Sequence, residues 1–336
     1  MQVVRKLVRF ARLAEWWEYK LCPLLAVAYA TLLFSEIPAY KFVGCILLIL
    51  LAIAMGAVYV SLINDITDIE EDRRAGKRTG IMGVPSQWRW ILPVICLAGG
   101  TAVCWYLWPD WHSTIWYVMA WISFSLYSFK PFRFKQRGIW GVFADAGGAH
   151  LFPSLFVVSV IFHQIPEQAN VGWELSVGIW SFSYGIRGIL WHQFVDREND
   201  RGTGVRTFAS FVSQSQARRL EWPLLGVELL AFGSMLWYIN LPIVYVFLLG
   251  YGLVVWLRIR FLDLKPIVFL IPDNRPYQMI MLDGYQVFLP LALLAHIALT
   301  QPWGWLLLAV HLMLFPIGIK RLISNLTYIF PSLRRL

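Results

Sequence analysis

The chain alternates long apolar runs with short polar connections. Ten runs approach the about 20 mostly apolar residues that a helix needs to cross a bilayer core of roughly 30 Å. They cover Leu21–Ile37, Phe42–Ile63, Trp88–Leu107, Thr114–Ser128, Ile139–Phe162, Val171–Val195, Trp222–Tyr238, Pro242–Leu257, Asp283–Leu299 and Trp303–Ile319. The pattern predicts an all-α polytopic membrane bundle of about nine to ten transmembrane helices. The last two runs read either as two spans or as one span and an interfacial helix. Ahead of the first run, Met1 to Trp17 is basic and amphipathic through Arg5, Lys6, Arg9 and Arg12, which predicts a cytoplasmic interfacial helix. No long linker interrupts the chain, so residues 1–336 are expected to form one membrane domain.

Composition agrees with the pattern. Of 336 residues 58% are hydrophobic and 15% charged, and mean hydropathy is +0.59, which excludes a water-soluble fold. The 18 Trp, 14 Tyr and 22 Phe suit the headgroup level of a bilayer. The net charge of +9 comes from short basic clusters between apolar runs, so it points to cytoplasmic loops and not to a nucleic-acid partner. Cys22, Cys45, Cys96 and Cys104 show neither CxxC spacing nor His partners, which argues against disulfides or zinc.

The basic residues also orient the chain. The N-terminal segment, the connections carrying Arg73 to Arg89, Lys130 to Arg137, Arg197 to Arg219 and Arg258 to Arg275, and the C-terminal segment hold nearly all of them; the opposite connections hold only Lys41. Both termini and these connections are expected on the cytoplasmic side.

Two of these connections repeat each other at an offset of 128 residues. Asp68, Glu70, Asp72, Arg73, Gly76, Arg78 and Thr79 meet Asp196, Glu198, Asp200, Arg201, Gly204, Arg206 and Thr207 without a gap. Each copy ends the second span of a four-span unit, so the pattern predicts two parallel four-helix repeats, 21–137 and 138–265, with C-terminal helices over 266–336. Both Asp-rich loops then face the cytoplasm and can close on one site. Gly76 and Gly204 read as turn residues, Thr79 and Thr207 as caps.

At 100° per residue, Asp65, Asp68 and Asp72 fall within an arc of about 60° on one helix face, and Asp196 and Asp200 stand at i and i+4. Such stacked carboxylates repel each other at the end of an apolar helix, where bare charge is costly. A hard divalent cation resolves the conflict, and oxygen ligands from Asp and Asn suit Mg²⁺ bridging carboxylates to substrate phosphates. Arg73, Lys77, Arg78, Arg201 and Arg206 follow directly and can hold the remaining phosphate oxygens. Metal, phosphate and apolar helices together suggest a lipid diphosphate. The alternative for any one copy is a solvated loop whose acids pair with nearby Arg.

These residues closely resemble the UbiA superfamily of intramembrane prenyltransferases. The marks are an NDxxDxxxD motif at Asn64, Asp65, Asp68 and Asp72, a DxxxD motif at Asp196 and Asp200 extended as D-R-x-x-G-x-x-T, and the intervening stretch Tyr127-Ser128-Phe129-Lys130-Pro131-Phe132-Arg133-Phe134-Lys135 followed by Gly138, Gly141 and Asp145. The resemblance implies that Asn64, Asp65, Asp68, Asp72, Asp196 and Asp200 coordinate two Mg²⁺ ions bridging an isoprenoid diphosphate. It also implies that Tyr127, Lys130, Arg133 and Lys135 help hold diphosphate or acceptor. Two departures stand out. Gln193 occupies the first position of a usual DxxDxxxD second motif, where it offers a neutral oxygen, and His192 before it is a proton acceptor or a polar helix end. The family usually has nine spans.

The implied activity is Mg²⁺-dependent transfer of an isoprenyl group from an allylic diphosphate to an aromatic or lipid acceptor. Competing readings are a terpene cyclase on the same scaffold, a polyprenyl-phosphate phosphoribosyltransferase, a CDP-alcohol phosphotransferase and, from another class, a divalent-cation transporter. The transporter is disfavoured because the acids cluster at one membrane face instead of forming a ladder. The CDP-alcohol enzyme is disfavoured because Ile69, not Gly, follows Asp68. Asp145, His150, Arg187, Glu228 and His296 are polar residues inside spans and so functional candidates; Asp145 could line the site or make a structural pair, and His150 could share its cavity.

Overall fold

A computed structural model describes residues 12–34, 37–74, 76 and 79–333. Most of the expected N-terminal interfacial helix, residues 1–11, lies outside the described residues, as do Lys77 and Arg78. Helices stand at all ten predicted runs: α1 Leu13–Leu32, α2 Val43–Thr67 followed by the short α3 Ile69–Arg74, α4 Ile91–Leu107 and α5 Trp111–Ser128. Then come α6 Ile139–Gln164, α7 Val171–Val195 with the short α8 Arg197–Thr203, α9 Gln214–Ile239 and α10 Pro242–Leu262. The chain closes with α11 Gly284–Thr300, α12 Gly304–Leu314 and α13 Pro316–Leu333. Polar residues mark several starts: Asp110 accepts from Ser113 N at 3.1 Å, Asn170 from Trp173 N at 2.9 Å, and Ser213 forms a capping box with Gln216.

The result is a helical membrane bundle. Among the described residues, five helices are long and apolar enough to cross a bilayer by length and composition: α2 with its leading turn, α4 with its leading turn, α6, α9 and α10. Helix α1 is buried over residues 21–32, through Leu21, Leu24, Leu25, Ala26 and Tyr29, and packs against α6 and α11. The outer helices turn large apolar groups outward instead, among them Trp105, Tyr106, Leu230, Trp237 and Leu249, as lipid-facing surfaces require.

Two features depart from the sequence pattern. The tenth run is not one straight span, because α12 and α13 meet at a bend of 78°. Eleven residues of α12 cover only about 16 Å at 1.5 Å per residue. Glu18 fixes the start of α13, its two carboxylate oxygens accepting from Ile317 N at 2.7 Å and Gly318 N at 2.8 Å. The second departure is a small parallel ribbon, β1 Lys265–Ile267 with β2 Tyr277–Met279, between α10 and α11.

This connection folds back among the helices, with Val268, Phe269 and Leu270 buried. Non-helical backbone survives out of water only if protein groups satisfy it. Arg187 of α7 does so, donating from Nη1 to Ile280 O at 2.7 Å and Val268 O at 3.4 Å. Glu221 Oε1 accepts from Phe269 N and Leu270 N at 3.3 and 3.0 Å. Arg187 is in turn held bidentately by Glu228 of α9, both bonds 2.7 Å and both side chains fully buried. Two of the intramembrane candidates are thus partners in a structural pair. Removing one partner from such a pair costs about 3–5 kcal/mol, whereas replacing both by apolar groups costs far less. Arg187→Met and Glu228→Leu are each expected to lower the detergent-solubilised melting temperature markedly, and the double variant to lose less than their sum; strictly additive losses would contradict the pairing.

Candidate functional site

The two acidic loops repeat in conformation as well as in sequence. Helix α2 ends at Asp68 (φ −103°, ψ 0°) and α7 ends at Asp196 (φ −88°, ψ 2°). The short helices α3 and α8 follow, then Gly76 at φ +70° and Gly204 at φ +75°, a left-handed conformation that costs glycine little. Thr79 (φ −97°, ψ 156°) and Thr207 (φ −74°, ψ 165°) then return both chains to extended backbone. The break at Asp68 corrects one expectation: Asp65, Asp68 and Asp72 do not share one continuous helix, since Asp65 ends α2, Asp68 caps it and Asp72 lies in α3. The turn still carries helix-like bonds, from Asp72 N to Asp68 O at 2.8 Å and from Asp200 N to Asp196 O at 2.9 Å.

Buried bases clamp the first loop. Asp68 Oδ1 accepts from Arg133 Nη2 at 3.0 Å and from Lys135 Nζ. Arg133 also pairs with Glu71 at 2.8 Å and donates to Thr67 O at 3.2 Å, and Gln136 donates to Glu71 at 3.0 Å. Burial pushes the Lys135 ammonium below its usual value, an effect that the Asp68 carboxylate opposes. Asp65 pairs with Arg12 at 3.4 Å, and Ser128 Oγ donates to Asn64 Oδ1. The second loop is held differently. Thr207 Oγ1 donates to Asp200 Oδ2 at 3.1 Å, and Arg201 donates to Ser210 O at 3.3 Å. Gln193 is buried, and its Oε1 accepts from Ala209 N at 3.4 Å, within the same loop.

The intervening stretch joins the two loops: Arg133 and Lys135 clamp the first, and Gly138 N donates to Arg206 O at 3.4 Å in a bridge of Gly138 with Thr207 of the second. Tyr127 stands on the wall of a cavity of about 890 Å³, together with Asn64, Asp145 and His192. Below them the wall is aromatic, with Tyr59, Tyr117, Trp121, Phe124 and Phe156. A π turn at Gly147–Leu151 interrupts α6 where Asp145, Gly148 and His150 reach this cavity, the kind of helix irregularity that gathers at functional sites. Glycine is needed at 148, because a Cβ there would lie 2.8 Å from the Phe124 ring.

Not every sequence candidate reaches the cavity wall. Arg73, Lys130, Asp196, Arg201 and Arg206 are exposed, and Asp72 is half-buried. The aromatic floor carried no recognisable signal, because its residues are spread over three helices among many other aromatic positions. Arg258, Asp283 and Arg321 also line the cavity; they lie far from any motif.

The donors at the mouth are oxygens from Asn and Asp. Among the described residues no three His, Cys, Asp or Glu side chains gather closely enough to cage a metal ion. Such oxygen donors fit a cation that completes its shell with water and phosphate oxygens, as Mg²⁺ does.

Comparisons with known proteins agree with this fold. A UbiA homolog from Archaeoglobus fulgidus bound to GPP and Mg²⁺ is similar with a TM-score of 0.63 and 15% identity, over 93% of this chain and 100% of that chain. The same homolog bound to DMAPP and Mg²⁺ matches with a TM-score of 0.63 and 15% identity, over 93% and 99% of the two chains. Its Cd²⁺-bound structure matches with a TM-score of 0.59 and 17% identity, over 87% and 98%. No curated protein matches the sequence. Residues 21–267, well over half of the chain, match the UbiA prenyltransferase family, and the protein belongs to that family.

Proposed function

We propose that the protein is a Mg²⁺-dependent intramembrane prenyltransferase that moves an isoprenyl group from an allylic isoprenoid diphosphate to an aromatic or lipid acceptor. The observation that carries this reading is that the stretch 133–138 joins both acidic loops, through Arg133 and Lys135 on Asp68 and Gly138 on Thr207, beside an aromatic-walled cavity lined by Asn64, Tyr127 and Asp145. The isoprenyl diphosphates and Mg²⁺ bound by the Archaeoglobus fulgidus homolog support it. In this reading two parallel four-helix repeats, 21–137 and 138–265, each supply one acidic loop from the cytoplasmic side, and 266–336 complete the wall.

Oxygens of Asn64, Asp65, Asp68, Asp72, Asp196 and Asp200 would hold two Mg²⁺ ions, which neutralise the charge of the departing diphosphate when bound. Arg133 and Lys135, already beside Asp68, can turn to phosphate oxygens. Arg73, Lys130, Arg201 and Arg206 supply further cations from the exposed loops, and Lys77 and Arg78 are added on the sequence alone. The allylic C–O bond breaks with its electron pair leaving on the diphosphate; the acceptor forms the new bond and, if aromatic, gives up a proton. Tyr59, Tyr117, Trp121, Phe124 and Phe156 keep water from the allylic cation and present ring faces to it. His192 and Asp145, on the same wall, are the groups available to receive the proton; Gln193 positions the second loop.

Two outcomes test the assignment. Asp68→Ala and Asp200→Ala, each on a different loop, are expected to lower turnover of geranyl diphosphate at least a hundredfold in a mass-spectrometric product assay, as EDTA does to the wild type. Near-wild-type turnover in either variant would remove the metal assignment. Secondly, Arg133→Met frees Asp68 and Glu71 from a competing cation, so the chain alone is expected to be thermally stabilised at lower Mg²⁺ concentration, while a diphosphate analogue binds more weakly. An unchanged Mg²⁺ midpoint would mean that Asp68 is not a ligand.

A further inference from the structure

The cavity runs deepest between α2, α5 and α6. Along α2 its wall extends from Asn64 at the mouth to Ala52, about 18 Å away at 1.5 Å per residue, and along α5 from Tyr127 to Tyr117, about 15 Å. On α7 the wall stops after about 12 Å, from His192 to Tyr184. Tyr184 closes that side, its ring against Trp180 and His150 and its hydroxyl 3.1 Å from the Gln286 amide. The deep limb stays open because small residues line it, Gly56 and Ala57 of α2 and Ala120 of α5. A Cβ added at Gly56 would meet nothing within 4 Å.

Tyr117 forms the floor of this limb. Its hydroxyl donates to Ala52 O at 3.1 Å, so the ring bridges from α5 to α2. Phe156 of α6 packs on it with ring centroids 5.1 Å apart, and Trp121, one turn nearer the mouth, stands edge-on at 5.8 Å. Tyr117, Phe156 and Ala52 are all buried. Swinging the phenol aside would leave its hydroxyl unpaired out of water and force the packed rings apart, and both changes are costly. The floor is therefore firm, whereas the walls above it leave room.

We propose that Tyr117 sets the length of the isoprenyl chain, with farnesyl the longest that the cavity accepts in extended form. The proposal rests on the prenyltransferase reading above and narrows its donor to the shorter allylic diphosphates. An extended isoprene unit is four carbon–carbon bonds, roughly 5 Å, so a farnesyl chain reaches about 14 Å from its first carbon and a geranylgeranyl chain about 19 Å. With the diphosphate at the mouth, the first ends above Tyr117 and the second collides with it. Tyr117 is a specificity residue in this account: it meets the far end of the chain, not the reacting carbon.

The test is calorimetric binding of geranyl, farnesyl and geranylgeranyl S-thiolodiphosphates to the full-length, detergent-purified chain in Mg²⁺. Affinity ratios are compared between variants in one detergent, so that partition of the analogues into micelles cancels. Tyr117→Ala removes the floor and is expected to raise the geranylgeranyl-to-farnesyl ratio about tenfold or more over wild type, while Tyr117→Phe, which keeps the ring, retains the wild-type ratio within about twofold. Gly56→Leu raises the floor to about 12 Å below Asn64, so the farnesyl-to-geranyl ratio is expected to fall about tenfold or more. A purely structural role for Tyr117 would weaken all three analogues alike and leave their ratios unmoved. A geranylgeranyl-to-farnesyl ratio in Tyr117→Ala within about twofold of wild type would overturn the floor. So would an unmoved farnesyl-to-geranyl ratio in Gly56→Leu, a test that stands even if Tyr117→Ala does not fold, because the chain would then run elsewhere. The geranyl titration alone reports on the underlying reading: no Mg²⁺-dependent binding of that analogue by the wild type would overturn the prenyltransferase reading itself.

Discussion

Charge and peptide groups removed from water must find partners, and the whole architecture follows from how this chain meets that requirement. Among the long helices the backbone satisfies itself. Where it does not, in the ribbon between α10 and α11, Arg187 and Glu221 supply the missing donors and acceptor, and Glu228 compensates Arg187. At the cavity mouth the same rule sets Arg133 and Lys135 against Asp68. In the first arrangement the Arg187 charge is matched by Glu228 inside protein. In the proposed reading the second exchanges partners, because its bases can serve a diphosphate as readily as a carboxylate, and that difference separates a structural ion pair from a binding site.

The two acidic loops share a backbone course yet differ in chemistry. The first carries Asn64, Asp65, Asp68 and Asp72 under a clamp of bases. The second carries Asp196 and Asp200, steadied by Thr207 and by a buried Gln193. The stretch 133–138 touches both, clamping the first through Arg133 and Lys135 and bridging Thr207 of the second through Gly138. In the proposed reading the pair would complete, across a substrate's phosphates, a shell that neither loop builds from protein atoms, which suits a cation with a strong preference for retained water and phosphate oxygen.

Much of this was legible before any coordinates. The apolar runs located every long helix, since a span must be continuously apolar, and Val171–Val195 has the same bounds in both readings. The 128-residue repeat foretold the matched loops because identical turn chemistry, Gly76 with Thr79 and Gly204 with Thr207, enforces identical backbone. Helical periodicity did not foresee the break at Asp68, which recurs at Asp196, nor the clamp on Asp68, whose bases lie 65 and 67 residues further along the chain. Nor could it foresee the ribbon. Ile267 to Ile271 is too short an apolar run to be a span, and its burial depends on Arg187 and Glu221, which the sequence left unpaired. The bend at Phe315 was open for a similar reason: only the contact of Glu18 with Ile317 and Gly318 reveals that α13 starts in a new direction.

The central claim is that both loops close on one diphosphate. Electron paramagnetic resonance of the purified chain with Mn²⁺ in place of Mg²⁺, titrated with geranyl S-thiolodiphosphate, tests it most directly. One analogue and two spin-coupled Mn²⁺ ions per chain are predicted, with the coupling lost when an aspartate of either loop is replaced. Mn²⁺ bound independently of the analogue, or two uncoupled sites each unaffected by changes in the other loop, would contradict a shared site.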